Sequence, residues 1–188
     1  MVLAIHLSRE EFVSAGPSTT TDQSALHVLA GERALDWAAN RDNRRQWVHL
    51  YDTCPWATAF QHPAFFDVWC RHYGQQWSPL LIIGRSANNL RGIMPLAIRG
   101  DLITGIGAHQ AEYHGWLSAE ADAAAFLQAA IETIARAMPR KALRLRYLPP
   151  STPMGGFDEF VRTQRRMKLK GHEVHELDLC DLVVGHEA

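Results

Sequence analysis

Cysteine is scarce: the 188 residues contain three, Cys54, Cys70 and Cys180. The count is odd and no C-x-x-C occurs. Both facts argue against a disulfide framework and a zinc ribbon, so reduced thiols in the cytoplasm are expected. No apolar run approaches the ~18 residues that a transmembrane helix needs, so no membrane span is expected. Residues Met1 to Leu7 hold a short apolar stretch with no positive n-region or long h-region behind it, so no secretory signal is expected. Charge of one sign is missing too. With 19 basic and 20 acidic side chains the net charge is −1, which excludes a polybasic arm or an acidic tail as the main theme and predicts no nucleic-acid partner. P-loop, G-x-S-x-G and dinucleotide fingerprints are absent, and no internal repeat is visible.

What is present is core material. Apolar residues make up 47% of the chain, enough for one domain that needs neither metal nor disulfide to hold together. Residues 1–23, with the run Ala15-Gly16-Pro17-Ser18-Thr19-Thr20-Thr21, read as a poorly ordered lead-in. A single domain is expected over 24–180 and a tail over 181–188. Within the domain, Ala25 to Leu29 reads as a buried strand and Glu32 to Ala39 as a helix. Trp47, Leu50, Tyr51 and Cys54 fall at i, i+3, i+4 and i+7 of a second helix that Pro55 stops. A third runs from Pro63 to Gly74, with Phe65, Phe66, Trp69, Cys70 and Tyr73 as its stripe and Arg71 and His72 in its last turn.

The period then changes. Pro79 to Ile83 and Leu90 to Ile98 predict a hairpin turning at Ser86 to Asn89, with Pro95 marking an edge or a bulge. Asp101 to Ile106 and Glu112 to Leu117 read as further strands. Ser118 to Met138 reads as a helix capped by Ser118, with Glu120 and Asp122 in its first turn. Ala142 to Leu148 alternates as a strand with Leu143, Leu145 and Tyr147 inward. Phe157 to Met167 reads as a helix and His172 to Leu179 as a last strand. The order predicts an α/β fold: a mixed, mostly antiparallel sheet flanked by helices.

Four segments carry a family resemblance. Thr58 to Phe66 looks like an "f-q-s-p-a-f" entry to a helix ending in Tyr73-Gly74. Gly92-Ile93-Met94-Pro95-Leu96 looks like a "G-i-l-P-L" strand, Glu112 to Gly115 like "e-Y-x-g", and Leu145 to Pro149 like "l-x-x-l-p". In this order they resemble the BioF-like and CelD-type acetyltransferases of the GNAT superfamily, relatives of the FemAB-type double-GNAT proteins, which are associated with cellulose or exopolysaccharide biosynthesis. The resemblance spans about residues 25–180 and the first of two GNAT-like halves. It implies a GNAT-like sheet and transfer of an acyl group from acetyl-CoA or another acyl-CoA to an amine or hydroxyl of a small-molecule or saccharide acceptor. A second GNAT-like half or a homo-oligomer is the expected partner. One departure concerns the co-substrate. Where the family holds the CoA pyrophosphate on a glycine-rich loop at a helix N-terminus, this chain has Trp116-Leu117-Ser118-Ala119-Glu120-Ala121-Asp122, with two acids in the first turn. No cofactor-binding residue can be assigned there, and the Gly105-Ile106-Gly107 triplet is followed by no helix pattern.

Glu112, Tyr113 and His114 are the candidate catalytic residues: on a strand Glu112 and His114 share a face, a carboxylate beside an imidazole tunes a general base, and a tyrosine acts as acid. The plainer reading makes Tyr113 a core aromatic that anchors the fold. His109, Glu112 and His114 match no metal-ligand spacing, and the histidines of His172-Glu173-Val174-His175-Glu176 are three apart rather than four, so no metal is expected. Cys54 and Cys70 read as core thiols, and Trp47, Trp56, Trp69 and Trp77 as core aromatics rather than a sugar platform.

Overall fold

The computed structural model describes residues 2–6, 26–149, 152–153 and 167–170. The expected helix over 157–167, the strand over 172–179 and the tail fall outside these residues, apart from Met167. Among the described residues, eight strands and four α-helices are arranged as α/β: β1 (Val2–His6), β2 (Leu26–Ala30), α1 (Glu32–Ala39), α2 (Arg41–Thr53), α3 (Pro63–Tyr73), β3 (Ser78–Ser86), β4 (Asn89–Arg99), β5 (Leu102–Gly105), β6 (Leu117–Ser118), α4 (Ala123–Ala137), β7 (Ala142–Leu145) and β8 (Met167–Lys170). The sheet runs β2-β3-β4-β5-β7-β1-β8, with β6 pairing onto β4. Every pairing is antiparallel except β5 with β7, which are joined through α4. This is the mixed, mostly antiparallel sheet flanked by helices that the element order predicts, and it is consistent with a GNAT-like fold.

Local chemistry explains the helices. The Asn40 side chain accepts from the backbone N–H groups of Asp42 and Asn43 and caps α2. His62 does the same for α3 through Nδ1 and the Ala64 N–H, with Pro63 in the first turn where it lacks nothing. All residues from Pro79 to Gly84 and from Gly92 to Ala97 are buried, so both faces of the sheet centre are covered. On one side the Phe126 ring of α4 lies over the paired glycines Gly84 and Gly92, where a Cβ on Gly92 would fall on it and one on Gly84 would crowd it. The alternate face is left to α1 and α2, which touch β2, β3 and β4. Trp47 and Phe66 meet edge to face at 5.4 Å and Trp56 lies 6.5 Å from Trp116. Trp47, Trp56, Trp69 and Trp77 are at most 3% exposed, which makes them core rather than a sugar platform. Three of the four polar tips have acceptors: Trp47 Nε1 donates to the Gln61 carbonyl at 3.0 Å, Trp56 Nε1 to the Trp116 carbonyl at 2.8 Å and Trp69 Nε1 to Gln110 Oε1 at 3.4 Å.

Five expectations change. Val2–His6, placed in the lead-in, is a strand between β7 and β8, with Leu3 opposite Leu145 and Leu169. Pro95 lies in the interior strand β4, not at an edge or a bulge. Its carbonyl accepts from the Ile106 N–H on the side where β5 has already left and β6 has not yet paired. In an extended strand the nitrogen faces the same side as the carbonyl, so the missing N–H removes no ladder bond. The bulge sits instead at Gly84/Arg85, opposite Arg91. Ser118 is a buried β6 residue paired with Gly92, and α4 begins at Ala123 after a 3-10 turn over Glu120–Asp122. Glu112 to Trp116 is loop, not strand, and only Leu117 and Ser118 pair. Finally, β7 ends at Leu145. Leu143 and Leu145 point inward, but Tyr147 adopts φ 50° and is only half-buried, which breaks the alternation and brings Leu148 into the core.

Candidate functional sites

Two irregularities of the sheet gather the chemistry. The first is where the parallel pair parts. β5 and β7 pair from Leu102 opposite Ala142 to Thr104 opposite Arg144, and then β5 turns away at Gly105. A loop over 106–116 swings out and returns to β4. His114 of this loop fills the space between the diverging strands: it is 1% exposed and packs where a Cβ on Gly105 would stand.

The imidazole is bonded on both sides. The Arg146 backbone N–H donates to Nδ1 at 3.0 Å, which leaves the ring proton on Nε2, and Nε2–H donates to the Ala108 carbonyl at 2.8 Å. The His114 N–H donates in turn to the Arg146 carbonyl at 2.9 Å. The Thr104 hydroxyl, which donates to the Arg144 carbonyl at 2.9 Å, approaches Nδ1 at 3.4 Å. Burial, with a smaller contribution from the Arg146 charge, outweighs the opposing bond to Ala108 and pushes the His114 pKa down to about 4. The ring is thus neutral, bonded at both nitrogens and closed off from an incoming substrate. Its geometry is that of a fastener.

The other two members of the predicted trio lie elsewhere on the loop. Glu112 is exposed. Tyr113 is half-buried rather than a core anchor, and its carbonyl accepts from Gln61 Nε2 at 3.3 Å. With no strand here, the shared face assumed for Glu112 and His114 does not form. Of the three, Glu112 alone is open to solvent.

The second irregularity is the bulge in the β3–β4 hairpin. The extra residue lets Arg91 reach the start of α4, where Nη2 meets Asp122 Oδ2 at 2.6 Å. Beside this pair a groove of about 530 Å³ runs between the hairpin and α4, with Leu26, Gly84, Ala125, Phe126 and Ala129 below and Ser86, Asn89, Arg91 and Asp122 on the rim. Its size is that of a small-molecule site. This is also the junction where the resemblance puts a CoA pyrophosphate. Here the residue before α4 is Asp122, and the first backbone amide of the helix is already turned back onto the Glu120 carbonyl. Residue patterns gave no sign of the groove, because it depends on a bulge and on two glycines 8 positions apart in sequence that face each other across the hairpin.

Cys54 and Cys70 are buried packing groups. Burial, aided by the Asp67 charge, pushes Cys70 up to about 12, and burial raises Cys54 as well. Cys180 and the 172–176 motif lie outside the described residues. Among the described residues no group of three or more His, Cys, Asp or Glu side chains is placed to hold a metal ion, and no helix is long and apolar enough to cross a membrane. The chain matches no protein-family model, and comparison with curated proteins and with solved structures finds no match.

Proposed function

We propose that the chain is a GNAT-like module of the acyltransferase type serving polysaccharide or cell-surface biosynthesis in the cytoplasm. In this reading it holds the acceptor, and a second GNAT-like half or another copy supplies acyl-CoA chemistry, the transfer of an acyl group from the thioester to an amine or hydroxyl. The observation that carries this reading is the hairpin–α4 groove: a small-molecule-sized space of apolar floor and polar rim at the junction where the family's phosphate loop would lie. A hexose offers both faces such a groove needs, C–H surface for Leu26 and Ala125 and hydroxyls for Asn89, Arg91 and Asp122. The carboxylates of Glu120 and Asp122 meanwhile oppose a pyrophosphate at the start of α4. The four motif segments and the sheet order support the family side of the proposal.

Titration with hexosamines and short glucan oligosaccharides, followed by backbone amide shifts, tests the acceptor role. Movement confined to Gly84–Arg91 and Asp122–Ala129 at millimolar sugar is expected, with no saturable heat from acetyl-CoA in calorimetry at neutral pH. Unmoved amides in the groove would overturn the acceptor assignment, and low-micromolar binding of acetyl-CoA would overturn the argument from Glu120 and Asp122.

A further inference from the structure

We propose that His114 is an acid-released latch: its neutral ring ties the 106–116 loop to the end of β7, and protonation frees the loop and opens the gap between β5 and β7 while the rest of the sheet stays folded. The inference is independent of the acceptor groove. It starts from the ladder. Past Thr104 and Arg144 the two parallel strands no longer pair, so the Arg146 N–H and the Ala108 carbonyl depend on the ring. An imidazolium carries a hydrogen on Nδ1 as well, and that hydrogen points at the Arg146 N–H, donor against donor.

The Ala108 carbonyl favours a charged ring, but burial and the Arg146 charge together outweigh it. Every group bonded to it is uncharged. The charged groups of the segments packed here are Arg144 on β7, Arg146 just past its end, and His109 and Glu112 on the loop, the last two exposed to water. β5 contributes Thr104, the 59–61 turn contributes Gln61, and α3 reaches Gly107 through Phe65. The backbone is strained at one attachment point and next to the other. Ala108, which accepts from the ring, has φ 45°, and Tyr147, the residue after Arg146, has φ 50°. Side chains other than glycine adopt such angles only where the surroundings hold them, so a released loop has somewhere lower to go.

The sign follows from the lowered pKa. A freed ring binds its proton near the ordinary 6.5, the docked ring only near 4. The latch is therefore fully effective above about pH 6.5 and weakens as pH falls from there. The loss is complete once the pH is below the docked value.

Nuclear magnetic resonance of the full chain from pH 7.5 to 3.5 tests it. The expected result is an Nε2–H tautomer for His114 titrating at least one pH unit below the ordinary imidazole value of 6.5. The amides of 107–114 and 146–147 move with the His114 midpoint, while those of 80–83 and 93–97 stay in place. His114→Asn keeps an acceptor toward the Arg146 N–H without a titrating ring, and removes the acid step. The latch is overturned if His114 titrates at the ordinary value of 6.5, if loop and sheet amides move together, or if His114→Asn opens at the unchanged midpoint. Should His114→Asn not fold, the split between loop and sheet amides in the parent chain decides alone.

Discussion

Where β4 carries its extra residue the sheet faces water and holds charge, and where β5 and β7 part it faces the interior and holds a neutral ring. Arg91 and Asp122 are 51% and 39% exposed, so solvent shares the work of stabilising them and a groove stays open beside them. His114 is 1% exposed, so each of its polar atoms must find a protein partner, and finding both closes the gap. The same kind of defect, a local failure of strand pairing, becomes a site or a seal according to whether water reaches it. A buried break costs the desolvation of every orphaned group, which the exposed break avoids.

The sharpest way to break the comparison is to keep the volume at 114 and remove the nitrogens. His114→Leu leaves the buried Ala108 carbonyl and the part-buried Arg146 N–H without partners, each a loss of about 1–3 kcal/mol, so a total near 2–5 kcal/mol is expected in urea unfolding. The neighbouring truncation Tyr113→Ala, at a half-buried loop position, is expected to cost at most about 1–2 kcal/mol. If the two losses came out reversed, Tyr113 would be the anchor and His114 an accessory.

That contrast shows what the residue pattern could and could not carry. The first three helices were legible, because Pro63, Gly74 and the Trp47-Leu50-Tyr51 stripe act within a few residues of where they stand. So was the β3–β4 hairpin, whose apolar runs are buried on both faces. Pro95 misled because its harmlessness depends on β5 and β6, which pair with β4 on either side of it. Glu112 to Leu117 alternates well enough to look like a strand, yet Gly105 lets β5 end early and His114 replaces the pairing. Val2–His6 was hidden for a different reason: a five-residue segment followed by a Gly-Pro-Ser-Thr run gives no hint of the strand it will lie beside. The candidate trio was found as three neighbours in sequence, and only the tertiary bonds reveal that one of them is sealed. The groove left no trace, since its floor forms only when Phe126 of α4 settles over Gly84 and Gly92.

A middle-sized effect is expected at that pair of glycines. Gly92→Ala places a methyl into the Phe126 ring, which is held by α4 and cannot simply turn aside. Overpacking of this kind costs about 1–3 kcal/mol. The expected signature is a lowered melting temperature together with shifted amide signals along Ala123–Ala129, because the helix has to move outward. Full stability with unmoved α4 signals would mean that the ring is loosely held, and the floor of the groove with it.

The smallest effect is expected at the exposed end of the comparison. Arg91→Ala and Asp122→Ala each remove one partner of an ion pair that water screens from both sides, so each is expected to cost under about 1 kcal/mol despite the 2.6 Å separation. A double-mutant cycle in urea, run at low and at high salt, isolates the pair from whatever else each side chain does. The coupling is expected to be a few tenths of a kcal/mol and to shrink further with salt. A coupling that stays large and indifferent to salt would mean that the pair behaves as buried. The hairpin bulge would then belong with the β5–β7 gap as a second seal, and the groove beside it would lose its claim to be open.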